Sequence, residues 1–234
     1  MFERTGAIVA AMMLAACGVP GPRPSPPHVP AGGTVPAAAP APAKGGSYRI
    51  DATQSELRVL VYRAGPMASL GHNHVIVNRA IGGWVQYGGT SPGGSFALNI
   101  PAAGFVIDDA HDRGEEGGDF AADVPEQAKT ATLHNMLSPA VLDAEQFPSI
   151  AVRSVAVEGT GDALRATLAV ELAGHSSTLV VPFHFDGGAD RLTGSGSFTL
   201  RQSALGLASF SVLMGVLRVQ DDMRVTFKMV ALAN

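Results

Sequence analysis

The sequence predicts an all-β fold, a closed antiparallel β-barrel of about eight strands with one short helix. Short apolar runs of two-residue period recur between residues 57 and 232, each bounded by Gly, Asp or Ser clusters. One stretch alone, residues 122–137, changes to helical spacing. A long antiparallel sheet exposes aggregation-prone edges unless it closes on itself, and closure is the solution that this many short strands favours.

Before the strands begin, residues 1–17 read as an export signal and are set aside from the fold. Arg4 supplies a positive charge beside Glu3, and residues 6–16 are uncharged, mostly apolar and too short to span a bilayer as a helix. The run Leu14-Ala15-Ala16-Cys17 resembles the lipobox of bacterial lipoproteins, in which the cysteine becomes a lipidated N-terminus. Cys17 is the single cysteine of the chain, so no internal disulfide stabilises the body. An ordinary secretory signal ending near an isolated cysteine is the alternative. With Gly18 after Cys17, the resemblance implies a lipid-anchored protein on the periplasmic face of the cell envelope, at the outer membrane. Residues 18–46 are Pro-, Ala- and Gly-rich with almost no large apolar side chain, which describes an extended tether rather than a recognition motif. At about 3.1 Å per residue such a tether reaches on the order of 90 Å. Residues 47–234 then form one domain of sufficient length for its own core.

Within that domain, Leu57, Val59 and Val61 alternate with Arg58, Leu60 and Tyr62, the signature of a half-buried strand. Residues 74–87 are rich in β-branched and aromatic side chains and carry Gly82-Gly83, where a strand bulges or bends. Shorter strands are expected at 95–100 and 104–107. Residues 108–119 carry six carboxylates but lack the ligand spacing of an EF-hand loop, so a solvated loop is expected in place of a calcium site. A helix follows over 122–137, with Asp123 as its cap, Pro125 in its first turn, and Ala128, Thr132 or Leu133, and Met136 at helical spacing. Phe147-Pro148 ends it. Strands are predicted again at 150–157, 163–172, 178–185, 192–201 and 223–232, with turns at 159–162, 174–177 and 186–190.

Several positions spread over the domain carry a resemblance. Tyr48-Arg49-Ile50-Asp51 with Ser55, the Gly82-Gly83 strand, Phe147-Pro148-Ser149-Ile150 with Ser154, residues 168–174, and Gly206-Leu207 before the last strand together resemble the YceI-like family. Gly71-His72-Asn73-His74 further resembles a Gly-His-Asn-His subgroup, while residues 203–207 depart from the acidic residue and Phe that many members carry before this glycine. The resemblance implies a lipocalin-like barrel with an elongated apolar cavity, which in some relatives holds a polyisoprenoid or quinone-like chain.

Larger apolar residues from several strands and the helix are the candidates for such a cavity: Val59, Val61, Ile76, Trp84, Phe105, Met136, Phe198, Phe210 and Phe227. The same residues would equally serve as core, and periodicity leaves open which face of each strand turns inward. His72, Asn73 and His74 are candidates for contact with a ligand headgroup or a partner. His72 and His74 also offer two imidazoles on one side of a strand to a transition metal, with His111, His134, His175 and His184 as further donors, and a structural turn at the barrel rim is the third reading. No metal-binding motif is present, and no cofactor is expected other than a bound isoprenoid or quinone-like lipid.

The net charge of −4 and the scattered Lys and Arg argue against a nucleic-acid partner, including an HNH-type nuclease reading of residues 71–74. Gly174-His175-Ser176-Ser177 lacks the second glycine of a nucleophile elbow, and no carboxylate pair has an interpretable spacing, so no catalytic residue is assigned and the chain is expected not to be an enzyme. The leading expectation is an exported, membrane-anchored binder of an apolar isoprenoid-like lipid. The alternatives are a periplasmic metal-binding or redox-accessory protein using His72 and His74, and an envelope interaction module without a ligand.

Overall fold

Along the long strands residues of one parity turn inward and the others outward, with a switch of parity at the register shift in β8, and that separation builds the wall. The computed structural model describes residues 46–89, 93–161 and 163–234. The signal, Cys17 and the tether up to residue 45 lie outside the described residues, as does part of the expected turn at 159–162. In chain order the elements are β1 (Gly46–Ile50), β2 (Glu56–Val61), β3 (Arg63–Ala64), β4 (His74–Asn78), β5 (Gly82–Tyr87), β6 (Ser95–Pro101), β7 (Phe105–Ile107), α1 (Ala110–Glu116) and α2 (Glu126–Leu137). They continue with β8 (Ser149–Glu158), β9 (Leu164–Leu172), β10 (His175–Gly187), β11 (Arg191–Arg201), β12 (Ser211–Val212), β13 (Leu217–Val219) and β14 (Asp222–Ala233). Gly46, expected as the last tether residue, opens β1.

The ring runs β1-β5-β6-β8-β9-β10-β11-β14, and β14 pairs back with β1 to close it. All of these pairings are antiparallel. Three wall positions are each occupied by two strands in line. β14 pairs with β2 through residues 224–228 and with β1 through 231–233, so β1 and β2 share one position. In the same way β4 pairs with β2 and β5 with β1, while β7 pairs with β4 and β6 with β5. The barrel is therefore closed and eight-stranded, as the period-two runs predict.

Each interruption leaves backbone groups that a neighbouring strand cannot pair, and buried side chains take over. At the β1/β2 break, buried Ser55 donates from Oγ to the Val230 carbonyl (3.3 Å) and accepts from the Val230 N–H (3.0 Å). Fully buried Asn78 serves the other two breaks, accepting from the Ala80 N–H (2.9 Å) and donating to the Pro101 carbonyl (2.8 Å). Gly83, second in β5, has φ 151°, and a Cβ there would stand 2.2 Å from the Ala97 carbonyl oxygen of β6. Only glycine permits that approach. The glycine pair thus marks the start of a new strand, not a bulge inside one continuous run.

Among the described residues two α-helices are present where one is expected. α2 starts later than predicted, with Pro125 at the N-cap and no side-chain cap from Asp123. Its Leu133, Met136 and Leu137 pack on the interior, and the helix lies against β7, the terminal strand of the sheet. Residues 108–119 are not the solvated loop that their carboxylates suggest. Asp109 caps α1 by accepting from the His111 and Asp112 N–H groups, and Asp108, Asp112 and Arg113 are buried. The segment forms a strap over the outer face of β2 and β4, where Phe120 packs with Leu60, Val75 and Val77. The turn expected at 174–177 is tighter, made by Ala173 and Gly174 at φ 49° and 77°, so β10 begins at His175 opposite Leu172.

Candidate functional site

The inward residues of β2, β9, β10 and β14 do not fill the barrel. They line an elongated cavity of about 560 Å³, whose wall is overwhelmingly apolar. Val59, Val61, Ile76, Phe105, Met136, Phe198, Phe210 and Phe227 all line it. Trp84 does not: Val85 beside it faces inward, and the two-residue period turns Trp84 to the other face of β5. Sequence alternation identifies such a strand without setting its phase.

The cavity wall carries Gln86 and Ser95 on β5 and β6 and a larger polar group near the start of β4. In that group His72 and His74 line the cavity together with Arg63, Thr132, Asn135 and Gln202. His72 lies just before β4 rather than on it, and its ring meets that of His74 edge-on, centroids 6.2 Å apart. Burial and the neighbouring His74 hold His72 below the ordinary histidine value. Asn73 is placed differently from its two neighbours and does not line the cavity. Its side-chain oxygen accepts from the Arg63 N–H (3.0 Å) and its amide donates to the Asp119 carbonyl (3.3 Å), so it fastens the turn to β3 and to the strap.

Behind His74 stands a residue that the sequence reading assigns to a solvated loop. Asp108, fully buried at φ 54°, accepts from the Val75 N–H (2.8 Å) and Arg113 Nη1 (2.6 Å) through Oδ1, and its Oδ2 lies 2.6 Å from His74 Nδ1. Burial pushes this carboxyl up, but the bonds from His74, the Val75 N–H and Arg113 outweigh it and hold Asp108 below the usual carboxylate value. Arg113 also donates to the Asn73 and Ala122 carbonyls (2.9 and 2.7 Å), tying turn and strap together. On the cavity side, His74 Nε2 is 3.4 Å from Thr132 Oγ1 of α2. A polar chain therefore runs from Arg113 under the strap, through Asp108 and His74, to the cavity.

Further along the strap, Asp112 is gripped by Arg79 (2.6 and 3.1 Å) and by Arg58 (3.2 Å), whose guanidinium also meets Glu115 and Glu116. The bond from Arg79 lowers the Asp112 carboxyl against the opposing effect of burial. Arginines far away in sequence thus match the carboxylates that raise the calcium question. The signal available in the sequence is Arg58, a charged residue inside an otherwise apolar run. Of the further metal donors considered, His111, His134, His175 and His184 are exposed, and among the described residues no three His, Cys, Asp or Glu side chains gather to hold an ion.

A closed antiparallel barrel around an apolar cavity defines a cavity-enclosing β-barrel protein of lipocalin-like architecture. The chain belongs to the YceI-like family: the model of the YceI-like domain matches residues 48–231. No curated protein matches it. Among solved structures, BcnA of Burkholderia cenocepacia is similar with 15% identity and a TM-score of 0.54, over 77% of this chain and 98% of its own. A polyisoprenoid-binding domain from Saccharophagus degradans, described as implicated in plant cell wall breakdown, is similar with 14% identity and a TM-score of 0.52, over 80% of this chain and 98% of its own. At these identities the likeness carries the fold.

Proposed function

We propose that this protein is a membrane-anchored binder that holds an apolar, isoprenoid-like lipid, a polyisoprenoid or quinone-like chain, inside the barrel. The observation that carries the reading is the cavity: its volume of about 560 Å³ falls within the roughly 300–1,000 Å³ typical of ligand sites. A hydrocarbon chain placed there gains about 25 cal/mol for each Å² of apolar surface removed from water. The polyisoprenoid-binding description of the Saccharophagus degradans domain supports the same ligand class. Export, a periplasmic setting and anchoring are supported by the lipobox resemblance at Cys17 and the Pro- and Ala-rich run that follows it in the sequence. No catalytic step is assigned.

Mass spectrometry of organic extracts from the exported, gently purified chain tests the proposal. An isoprenoid lipid in stoichiometric amount is expected in the wild type and absent from Val61→Arg, which puts a charge into the buried wall. Extracts equally empty for the two proteins would overturn the carrier reading. Cys17→Ser should move the chain from the membrane fraction to the soluble one, and continued sedimentation with membranes would refute anchoring through this residue.

A further inference from the structure

The polar chain behind His74 dictates which hydrogen bond the cavity offers its ligand. An ionised carboxylate only accepts hydrogen bonds. Asp108, held ionised by the Arg113 guanidinium and the Val75 N–H, therefore requires the proton of its 2.6 Å contact with His74 to sit on Nδ1. Arg113 already balances the carboxylate charge, and in the neutral tautomer with its proton on Nδ1 the ring turns the Nε2 lone pair toward the cavity. The one protein hydroxyl near that nitrogen among the described contacts, Thr132 Oγ1, stands at 3.4 Å, a long and weak bond that a ligand hydroxyl at the usual 2.5–3.0 Å outcompetes. The lone pair is thus open to a donor from the ligand. His72 lies edge-on beside the His74 ring, centroids 6.2 Å apart, and lines the same cavity.

We propose that this part of the cavity is a hydroxyl-accepting subsite, in which His74 Nε2 selects isoprenoids ending in an O–H group, a prenol or a quinol, over the corresponding aldehyde or quinone. The inference rests on the lipid-binding reading above and specifies its chemistry. A carbonyl oxygen placed against Nε2 would set two lone pairs facing each other, whereas a hydroxyl donates directly to it. Asp108 and Arg113 are positioning residues: they fix the tautomer without touching the ligand.

The test uses the full chain carrying Cys17→Ser, so that no acyl anchor contributes, and two pairs of probes matched in shape. Geranylgeraniol is compared with geranylgeranial, and a prenylated hydroquinone with its quinone under anaerobic conditions. The wild type is expected to bind the hydroxyl member about fivefold to tenfold more tightly, the effect of one hydrogen bond gained against an acceptor clash. A preference confined to the first pair identifies a prenol, and one confined to the second a quinol. In Asp108→Asn the amide donates to Nδ1 and moves the ring proton to Nε2, so the preference should vanish or reverse; His74→Phe should abolish it. Because Asp108→Asn removes a buried charge and is at risk of misfolding, nitrogen NMR of the wild-type His74 ring supplies an independent reading, with Nδ1 protonated and Nε2 bare. A protonated Nε2, equal affinity within both pairs, or a hydroxyl preference retained in folded Asp108→Asn would overturn the subsite. Equal binding of all four probes would sink hydroxyl selection alone, while failure of every probe to bind would remove the lipid reading with it.

Discussion

The wall made by β8 to β11 and β14 is built of long, unbroken strands, whereas the wall made by β1 to β7 is interrupted in all three of its positions. In the first half, backbone groups pair with backbone groups, and the side chains have only to be apolar inside and tolerable outside. Its departures are the short β10–β11 ladder, which pairs residues 184–187 with 192–195, and the shift in β8 between Ser154 and Ala156, where Ser154 Oγ accepts from the Phe96 N–H at 2.9 Å. In the second half the ladders stop short, and Ser55, Asn78 and Asp108 supply the missing partners. Every buried charge among the described residues lies in that half, on β2, before α1 or within it. The difference teaches that polar chemistry enters this barrel where its hydrogen-bonding lattice is interrupted, because an interruption both requires buried polar side chains and leaves them room.

Five substitutions and one change of condition test that contrast. Arg113→Ala should be the most damaging, since it leaves Asp108 charged and buried without its cation; a loss of about 3–5 kcal/mol is expected from urea unfolding. A loss under 1 kcal/mol would mean that the strap is ornamental to the fold. Acidification acts on the same groups. Asp108 and Asp112 have folded values below their unfolded ones, so their stabilisation is fully present above the unfolded value of about 3.9 and is lost as pH falls through the folded values beneath it. Urea midpoints should therefore hold between pH 7 and pH 5 and drop near pH 3, with a smaller drop in Arg113→Ala; parallel curves for the two proteins would contradict this account.

Gly83→Val should cost about 1–3 kcal/mol from the backbone conformation alone, with the clash at Ala97 adding to it. Gly194 of the continuous wall has open space where its Cβ would be, and Gly194→Ala should be tolerated in the same thermal scan. Ser55→Ala removes both bonds to Val230 and is expected to lower stability by about 1 kcal/mol, with faster amide exchange at Val230 as its local signature. The smallest change belongs to Glu115→Gln, at the solvent side of the Arg58 cluster, which should leave the unfolding midpoint within experimental error.

The halves also differ in how openly the sequence describes them. Leu164, Ala166, Leu168, Val170 and Leu172 alternate with Arg165, Thr167 and Glu171, and the strand and its inner face coincide with that pattern. Residues 74–87 show the same chemistry but are two strands, because the approach of Gly83 to β6 depends on a neighbour that local sequence does not reveal. His72 and His74 stand out on the page, yet the groups that set their behaviour do not. Asp108 is 34 residues from His74 and Thr132 is 58 from it, and each looks unremarkable where it stands.

The sequence by itself determined an antiparallel barrel with an apolar interior and a polar turn at Gly71-His72-Asn73-His74, because hydrophobic alternation and glycine placement are local properties that survive without knowledge of contacts. Tertiary structure alone decided the rest. It chose Val85 over Trp84 for the inside, folded the acidic run into a strap under three arginines, and set Asp108 behind His74. Those outcomes depend on distance between residues far apart in the chain, and a buried charge is stable only where a partner from elsewhere in the fold meets it.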